Sequence, residues 1–363
     1  MKRRIVFLAC IFILAVSSNS CNKIKCHIDP NPKTPPDTGT TPSPDTSKKS
    51  TIVGFTNISK TAFPTLLGVD FEDTLTGYIS GVAGFLVKTV DGGTTWTNIS
   101  PGSAGDFYGL EFISNSVGYI GSNNGDVFKT SDAGSTWTKV TTPNNTFGYG
   151  SFAFINTNTG YAAGGASSTN GSLLKTTDNG VTWSNISIPG LKSVYDMIFT
   201  NQQTGYMCGY QNQIFKTSDG GNTWTQAIIN LTTAPASPIL LGKIRFTSTG
   251  VGYCVGYGTS FDANYILKST DGGNTWNQIP SPAQAYSSAD TYTTLFITNT
   301  DDIYVAGGNV AQNTETLIKS VDGGSTWSNV ANTAANRLFE SCYTEGKAFI
   351  VGINGTILKS SNK

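Results

Sequence analysis

The sequence predicts an all-β protein, a seven-bladed β-propeller with four antiparallel strands to each blade, and three observations carry that expectation. One piece recurs six times: "KTVDGGTTW" from 88, "KTSDAGSTW" from 129, "KTTDNGVTW" from 175, "KTSDGGNTW" from 216, "KSTDGGNTW" from 268 and "KSVDGGSTW" from 319. Each of the six tryptophans in the 363-residue chain closes one of these pieces. Upstream of each lies a second, alternating piece with its parts in fixed order. A phenylalanine comes first (Phe71, Phe112, Phe154, Phe199, Phe246, Phe296), then a turn, then a tyrosine before a glycine-rich corner (Tyr78, Tyr119, Tyr161, Tyr206, Tyr253, Tyr304). Short alternating runs punctuated by Gly, Asn, Asp and Ser are strand and hairpin signals, and no stretch of the domain carries a helical period. Four such strands repeated at about 40 to 50 residues make a propeller blade.

Taken in order, the chain opens with Lys2, Arg3 and Arg4, runs through the apolar stretch 5–16 and reaches "SSNSC" at 17–21. That stretch is too short to span a bilayer, so residues 1–20 read as a cleaved export signal. Small residues Ser18 and Ser20 before Cys21 resemble the lipobox of bacterial lipoproteins, which implies lipidation of Cys21. Ser18 stands where that motif usually has leucine, and ordinary secretion is the alternative. Residues 21–50 turn to Pro, Thr, Ser, Asp and Lys, and read as a disordered tether of about 3 Å per residue where polyproline-like.

The propeller is expected over 51–363. Its first fragment, "GFTNIS" at 54–59, matches "TWTNIS" at 95–100 and "TWSNIS" at 182–187 but follows no turn signal. The last unit, 337–363, holds three strands, lacks a fourth and then ends. The opening fragment supplies that strand, with Phe55 in the tryptophan position, so the seventh blade is closed by the N-terminal strand and the ring has no loose edge between its first and last blades.

The "D-x-G-x-T-W" piece has a structural task at the hairpin between third and fourth strands. Glycine supplies a positive φ, the aspartate accepts from turn amides, and the tryptophan fills the gap between strands. The expected structural set is Asp91, Trp96, Asp132, Trp137, Asp178, Trp183, Asp219, Trp224, Asp271, Trp276, Asp322 and Trp327. This piece resembles the Asp-box, or bacterial neuraminidase repeat, over the whole of 51–363. The spacing of the "GY" corner, the lysine and the box is similar to that of the photosystem II assembly and stability factor family. The resemblance implies a seven-bladed ring and a non-catalytic assembly role. Nothing in the sequence indicates a photosynthetic host.

Composition excludes several chemistries. The only histidine, His27, lies in the tether, which removes Ser-His-Asp and Cys-His catalysis and histidine-ligated metals from the domain. Cys208, Cys254 and Cys342 lack metal-like spacing and read as buried thiols, with one disulfide an alternative. No metal and no cofactor is expected. Without the signal the charge is near −3, from 20 basic and 23 acidic residues, and nothing suggests nucleic acid. Sialidase chemistry needs three arginines around its substrate carboxylate, and the mature chain has only Arg245 and Arg337. Xyloglucanase-like hydrolysis needs only a carboxylate pair, for which Asp70, Glu111 and Asp196 are candidates; it is the alternative reading.

The main reading is a monomeric binding or assembly module for a protein or glycan partner, anchored in the cell envelope, at the outer membrane. Inserts gather at the connections between second and third strands ("GGASSTNGS" from 164, "GYGTSFDANY" from 256, "GGNVAQNTET" from 307) and before first strands ("NLTTAPASPILLG" from 230, "IPSPAQAYSSADTYTT" from 279). Both connections emerge on one face, opposite the Asp-boxes, and loops on a rigid ring are where recognition sits. The candidate binding face is Tyr108, Tyr149, Tyr195 and Tyr292, with Asp70, Glu111, Asp196, Lys243 and Arg245 further in.

Overall fold

In the computed structural model, residues 52–143, 148–166, 170–261, 263–282, 290–330, 332 and 336–362 are described. The signal and tether expected at 1–50, Cys21 included, lie outside them. Seven sheets follow one another in sequence, each starting from an innermost strand. Blade 1 is Leu66–Phe71, Gly77–Gly81, Leu86–Thr89 and Thr97–Asn98, all neighbours antiparallel. The innermost strands of blades 2 to 7 are Phe107–Phe112, Gly148–Phe154, Val194–Phe199, Ile239–Phe246, Asp290–Ile297 and Leu338–Thr344. Blade 5 has an additional outer strand, Ile228–Asn230, parallel to Thr275–Ile279.

The ring closes as the sequence requires. Ile52–Asn57 pairs antiparallel with Ile357–Asn362, and Thr56 faces Lys359 just as Thr97 faces Lys88, so Phe55 stands at the register of Trp96. Phe55 meets Phe296 and Tyr304 of blade 6 edge-on, with centroids 6.4 and 6.3 Å away. Tryptophans make the same edge-on contact with the phenylalanine of their own blade, as Trp96 does with Phe71 at 6.3 Å.

Adjacent blades are joined by aromatic stacking. Tyr78 stacks on Phe112 of the next blade at 3.6 Å, Tyr119 on Phe154 at 4.7 Å and Tyr161 on Phe199 at 5.3 Å, and Phe349 of blade 7 stacks on Phe71 at 3.6 Å. Blade 6 departs from the sequence reading. The partner of its tyrosine, Tyr304, is Phe296, whereas in blade 1 Tyr78 faces Asp70 and the phenylalanine comes one residue later. Ile297 therefore occupies the repeated phenylalanine position, and Phe296 points to the opposite side of its sheet, toward Phe55 and Tyr343. A shift of one residue reverses the face in a strand.

The Asp-boxes repeat one hydrogen-bond pattern. In blade 1 the Thr89 hydroxyl donates to Asp91 Oδ1 at 2.8 Å and accepts from Gly93 N at 2.9 Å, while Asp91 also accepts from Thr95 N. Accepting these bonds holds the carboxyls of Asp91, Asp132, Asp178, Asp219, Asp271 and Asp322 down at about 2. The repeated lysines latch onto the next box: Lys88 donates to the carbonyl of Ala133 at 3.0 Å, Lys268 to Gly323 at 2.7 Å and Lys359 to Gly92 at 2.7 Å. No Asp-box follows Lys359 among the described residues of blade 7, and Lys319 of blade 6 pairs instead with Asp302 at 2.8 Å.

Box amides bond the turn between first and second strands, as Gly92 N does to Leu75 O. Connections between second and third strands bond the entry to the first strand, as Ile353 N does to Arg337 O. The ring thus has a box face and a long-loop face.

Candidate functional site

Every innermost strand carries a bulge near its start, between Leu66 and Gly68, Phe107 and Gly109, Tyr149 and Ser151, Val194 and Asp196, Leu241 and Lys243, Tyr292 and Thr294, and Leu338 and Glu340. The extra residue in each is Leu67, Tyr108, Gly150, Tyr195, Gly242, Thr293 or Phe339. A bulge re-aims one side chain without breaking the strand, and here seven bulges surround the ring axis at its long-loop end.

This register divides the four tyrosines expected to form one face. Tyr108 and Tyr195 are bulge residues, 8% and 2% exposed. Tyr149 and Tyr292 precede their bulges, at the register of Leu66 and Phe107, and are fully buried in the core. The expectation that they belong to a binding face is corrected: one residue earlier, they pack between blades. Sequence spacing missed this because a bulge leaves no apolar signature.

The bulge aromatics gather in two clusters. Leu67, Tyr108 and Phe339 pack together with Val82 and Ile353, joining blades 1, 2 and 7. Tyr195, Leu240 and Tyr257 pack together with Tyr210 and Phe261, joining blades 4 and 5. Burial pushes the Tyr108 and Tyr195 phenols above their usual range, so both are neutral donors. Tyr210, Tyr257, Phe261 and Phe339 were not among the expected residues; the insert from 256 carries two of them.

Deeper along the axis lie the charged residues. Position-for-position, Gly68, Gly109, Ser151, Asp196, Lys243, Thr294 and Glu340 are equivalent, one in each blade. Lys243 of blade 5 reaches past blade 6 to Glu340 of blade 7, with Nζ 2.5 Å from Oε1, and lies 3.4 Å from Asp196. Arg245 donates to Asp196 Oδ2 at 2.5 Å. Burial pushes the Glu340 carboxyl up to about 7 despite the Lys243 ammonium beside it.

The structure places these expected residues inside the ring, below the mouth. Asp70, Asp196 and Lys243 are fully buried, and Glu111 and Arg245 nearly so. Asp70 and Asp196 satisfy inner strand edges, which have no neighbouring ladder. Asp70 Oδ2 accepts from Phe112 N of the next blade at 2.7 Å, and Asp196 Oδ2 from Ile244 N at 3.0 Å. Cys208 and Cys254 are buried thiols, not joined in a disulfide, in the shared core of blades 4 and 5, and Cys342 is buried in the core of blades 7 and 1.

A sequence model of the family described as photosynthesis system II assembly factor YCF48 matches residues 53–145 and 181–286, more than half of the chain. The chain belongs to that family. No curated protein matches it. Among solved structures it is similar to YCF48 bound to D1 peptide, at 20% identity and a TM-score of 0.67, over 85% of this chain and 96% of that one. YCF48 from Cyanidioschyzon merolae matches at 15% identity and a TM-score of 0.63, over 85% and 98%. The GH74 xyloglucanase from Xanthomonas campestris matches at 13% identity and a TM-score of 0.65, over 84% of this chain and 53% of its own. At these identities the likeness is one of fold.

Proposed function

We propose that this YCF48-family protein is an exported, lipid-anchored, non-catalytic module of the cell envelope, at the outer membrane, that captures a polypeptide at its long-loop face. The observation that carries the reading is the mouth of the ring, where half-buried Tyr210 and Phe261 lie in the long loops around an aromatic floor of Tyr108, Tyr195, Tyr257 and Phe339. Aromatics held rigidly in such a place are what recognition hot spots are made of. A solved member of the family is described as bound to a peptide, which supports a protein partner over a glycan.

The alternative, hydrolysis by a carboxylate pair, has a specific neighbour in the xyloglucanase fold. It requires two carboxylates that a substrate can reach. Asp70 and Asp196 are sealed from solvent and committed to strand-edge amides, which argues against it.

The test changes the mouth rim and reads capture. Tyr108→Ala, Tyr210→Ala and Phe261→Ala together should lower recovery of the partner polypeptide from solubilised membranes at least about tenfold. Val90→Ser, Val181→Ser and Val321→Ser, exposed on the box face, should leave recovery unchanged. Equal recovery with both variants defeats the reading, and polysaccharide hydrolysis by the wild type that Asp196→Asn abolishes would establish the alternative.

A further inference from the structure

Among the described residues, Arg337 at the mouth is a buried cation with no carboxylate partner. Arg337 leads into the innermost strand of blade 7 and is 8% exposed. Its Nε donates to the Thr291 hydroxyl of blade 6 at 3.2 Å, its guanidinium lies 4.9 Å from the centre of the Phe339 ring, and the Tyr257 hydroxyl of blade 5 lies near enough to favour its charge. Among the described residues no carboxylate pairs with it. The nearest acid along the neighbouring strand, Asp290, is held by Asn309 Nδ2 at 2.8 Å. Lys243 and Arg245, by contrast, are matched by Asp196 and Glu340.

A buried guanidinium without an acid is costly, and hydroxyls and an aromatic face offset only part of that cost. Burial accordingly weakens the hold of Arg337 on its proton, with Tyr257 opposing. A second observation points the same way. The Tyr195 hydroxyl, in the same aromatic cluster as Tyr257, is buried and has no hydrogen-bond partner among the described residues. A buried donor of this kind calls for an acceptor. Two unmet demands, for negative charge and for an acceptor, coincide in one mouth.

We propose that Arg337, with the hydroxyls of Tyr257 and Tyr195, forms a subsite that takes a carboxylate of the polypeptide partner. The inference deepens the reading above and rests on it for the identity of the partner. A carboxylate fits better than a phosphate because a single planar guanidinium fork matches one planar carboxylate, whereas a dianion would call for a second cation. The other two axial cations are already neutralised.

The chain has four arginines, Arg3, Arg4, Arg245 and Arg337, so the Nε–Hε signals of the 15N-labelled protein are few and Arg245 serves as an internal reference. N-acetyl-triglycine, with a free terminal carboxylate, should shift the Arg337 signal at millimolar concentration and leave Arg245 in place. Its amide should bind at least about tenfold more weakly, since charge-assisted hydrogen bonds are lost. A glutamate-containing tripeptide amide separates a side-chain carboxylate from a chain terminus as the source, and binding of either supports the subsite.

Arg337→Gln, followed by calorimetric titration because the reporting signal is lost with the arginine, should show no binding of N-acetyl-triglycine where the wild type does. Tyr195→Phe, which removes only the unpartnered hydroxyl, should weaken it severalfold with no loss of thermal midpoint. Equal shifts with acid and amide, no shift up to about 50 mM, or tighter binding of inorganic phosphate than of either carboxylate would overturn the proposal. The rim substitutions test the mouth independently: capture lost in the rim variant with a silent Arg337 titration overturns the carboxylate subsite and leaves the docking face standing.

Discussion

Gly160 has no side chain because the Phe154 ring fills the space: a Cβ there would lie 2.3 Å from the ring. Gly77, Gly118, Gly205 and Gly252 stand in the same relation to Phe71, Phe112, Phe199 and Phe246. The two remaining blades meet the constraint differently, with Ile303 opposite Ile297 and Ala348 opposite Tyr343. Since the backbone of Gly160 is not left-handed, Gly160→Ala tests sterics alone and should cost roughly 1 to 3 kcal/mol in urea unfolding; an unchanged midpoint would remove the steric account. Charge at single residues shapes the pH profile. Glu340, raised to about 7 by burial beside Lys243, Asp196 and Arg245, binds its proton more tightly folded than unfolded. Its contribution is therefore complete below pH 4.5 and declines as pH rises to 7, by up to roughly 3 kcal/mol. Glu340→Gln should be as stable as the wild type near pH 5 and lack that decline, a comparison that equilibrium unfolding at pH 5, 6, 7 and 8 makes directly. The six box aspartates act in the opposite sense: held at about 2, they contribute above their usual 3.8, and that stability is lost as pH falls through 2.

At the scale of the strand, legibility followed whether a feature leaves a mark in residue type. The boxes, their tryptophans and the substitution of Phe55 for tryptophan were readable because each turn needs its aspartate and glycine and each gap its aromatic. The bulges were not readable, since inserting one residue changes the face of what precedes it without changing composition. That is why Tyr149 and Tyr292 read as companions of Tyr108 and Tyr195, and Phe296 as one of the repeated phenylalanines. The axial charges were visible as residues but not as partners, because Lys243 and Glu340 are 97 positions apart and meet only when seven blades close. Closure itself rests on one strand. Deleting 51–59 removes the pairing partner of Ile357–Asn362 and exposes the Phe296 and Tyr304 rings that Phe55 covers. Burial of Phe55 alone is worth about 2 to 3 kcal/mol, and the freed strand becomes an open edge. Thermal unfolding of the shortened protein should begin well below that of the full chain and its solutions should aggregate more readily; an unchanged midpoint would mean that the strand adds nothing to the ring.

Over the whole molecule, the two ends of the propeller chain lie together and on a known side. Ile52 faces Asn362, and the Asn362 side-chain amide donates to the carbonyl of Gly346, in the turn between first and second strands of blade 7. Those turns share the face of the Asp-boxes, so the chain preceding Ile52 joins the ring on the side opposite the aromatic mouth. On the proposed anchoring through Cys21, this topology sets the direction of display: a tether of about 3 Å per residue would hold the box face toward the membrane and leave the mouth turned outward to meet a partner. A tether attached on the long-loop side would have to pass across the site it serves. The proposal makes two demands at once. Cys21→Ala should move the protein from the membrane fraction to the soluble fraction without altering its thermal midpoint, because residues 21–50 add nothing to the packing of the blades in this reading. Mass spectrometry of the mature wild type should find a lipid-bearing cysteine at the N-terminus, since one acyl chain binds a membrane only marginally and two are needed for stable attachment. An unmodified N-terminal residue on a protein recovered from the soluble fraction would remove both the anchor and the orientation that follows from it, while leaving the mouth and its Arg337 subsite to be judged by their own titrations.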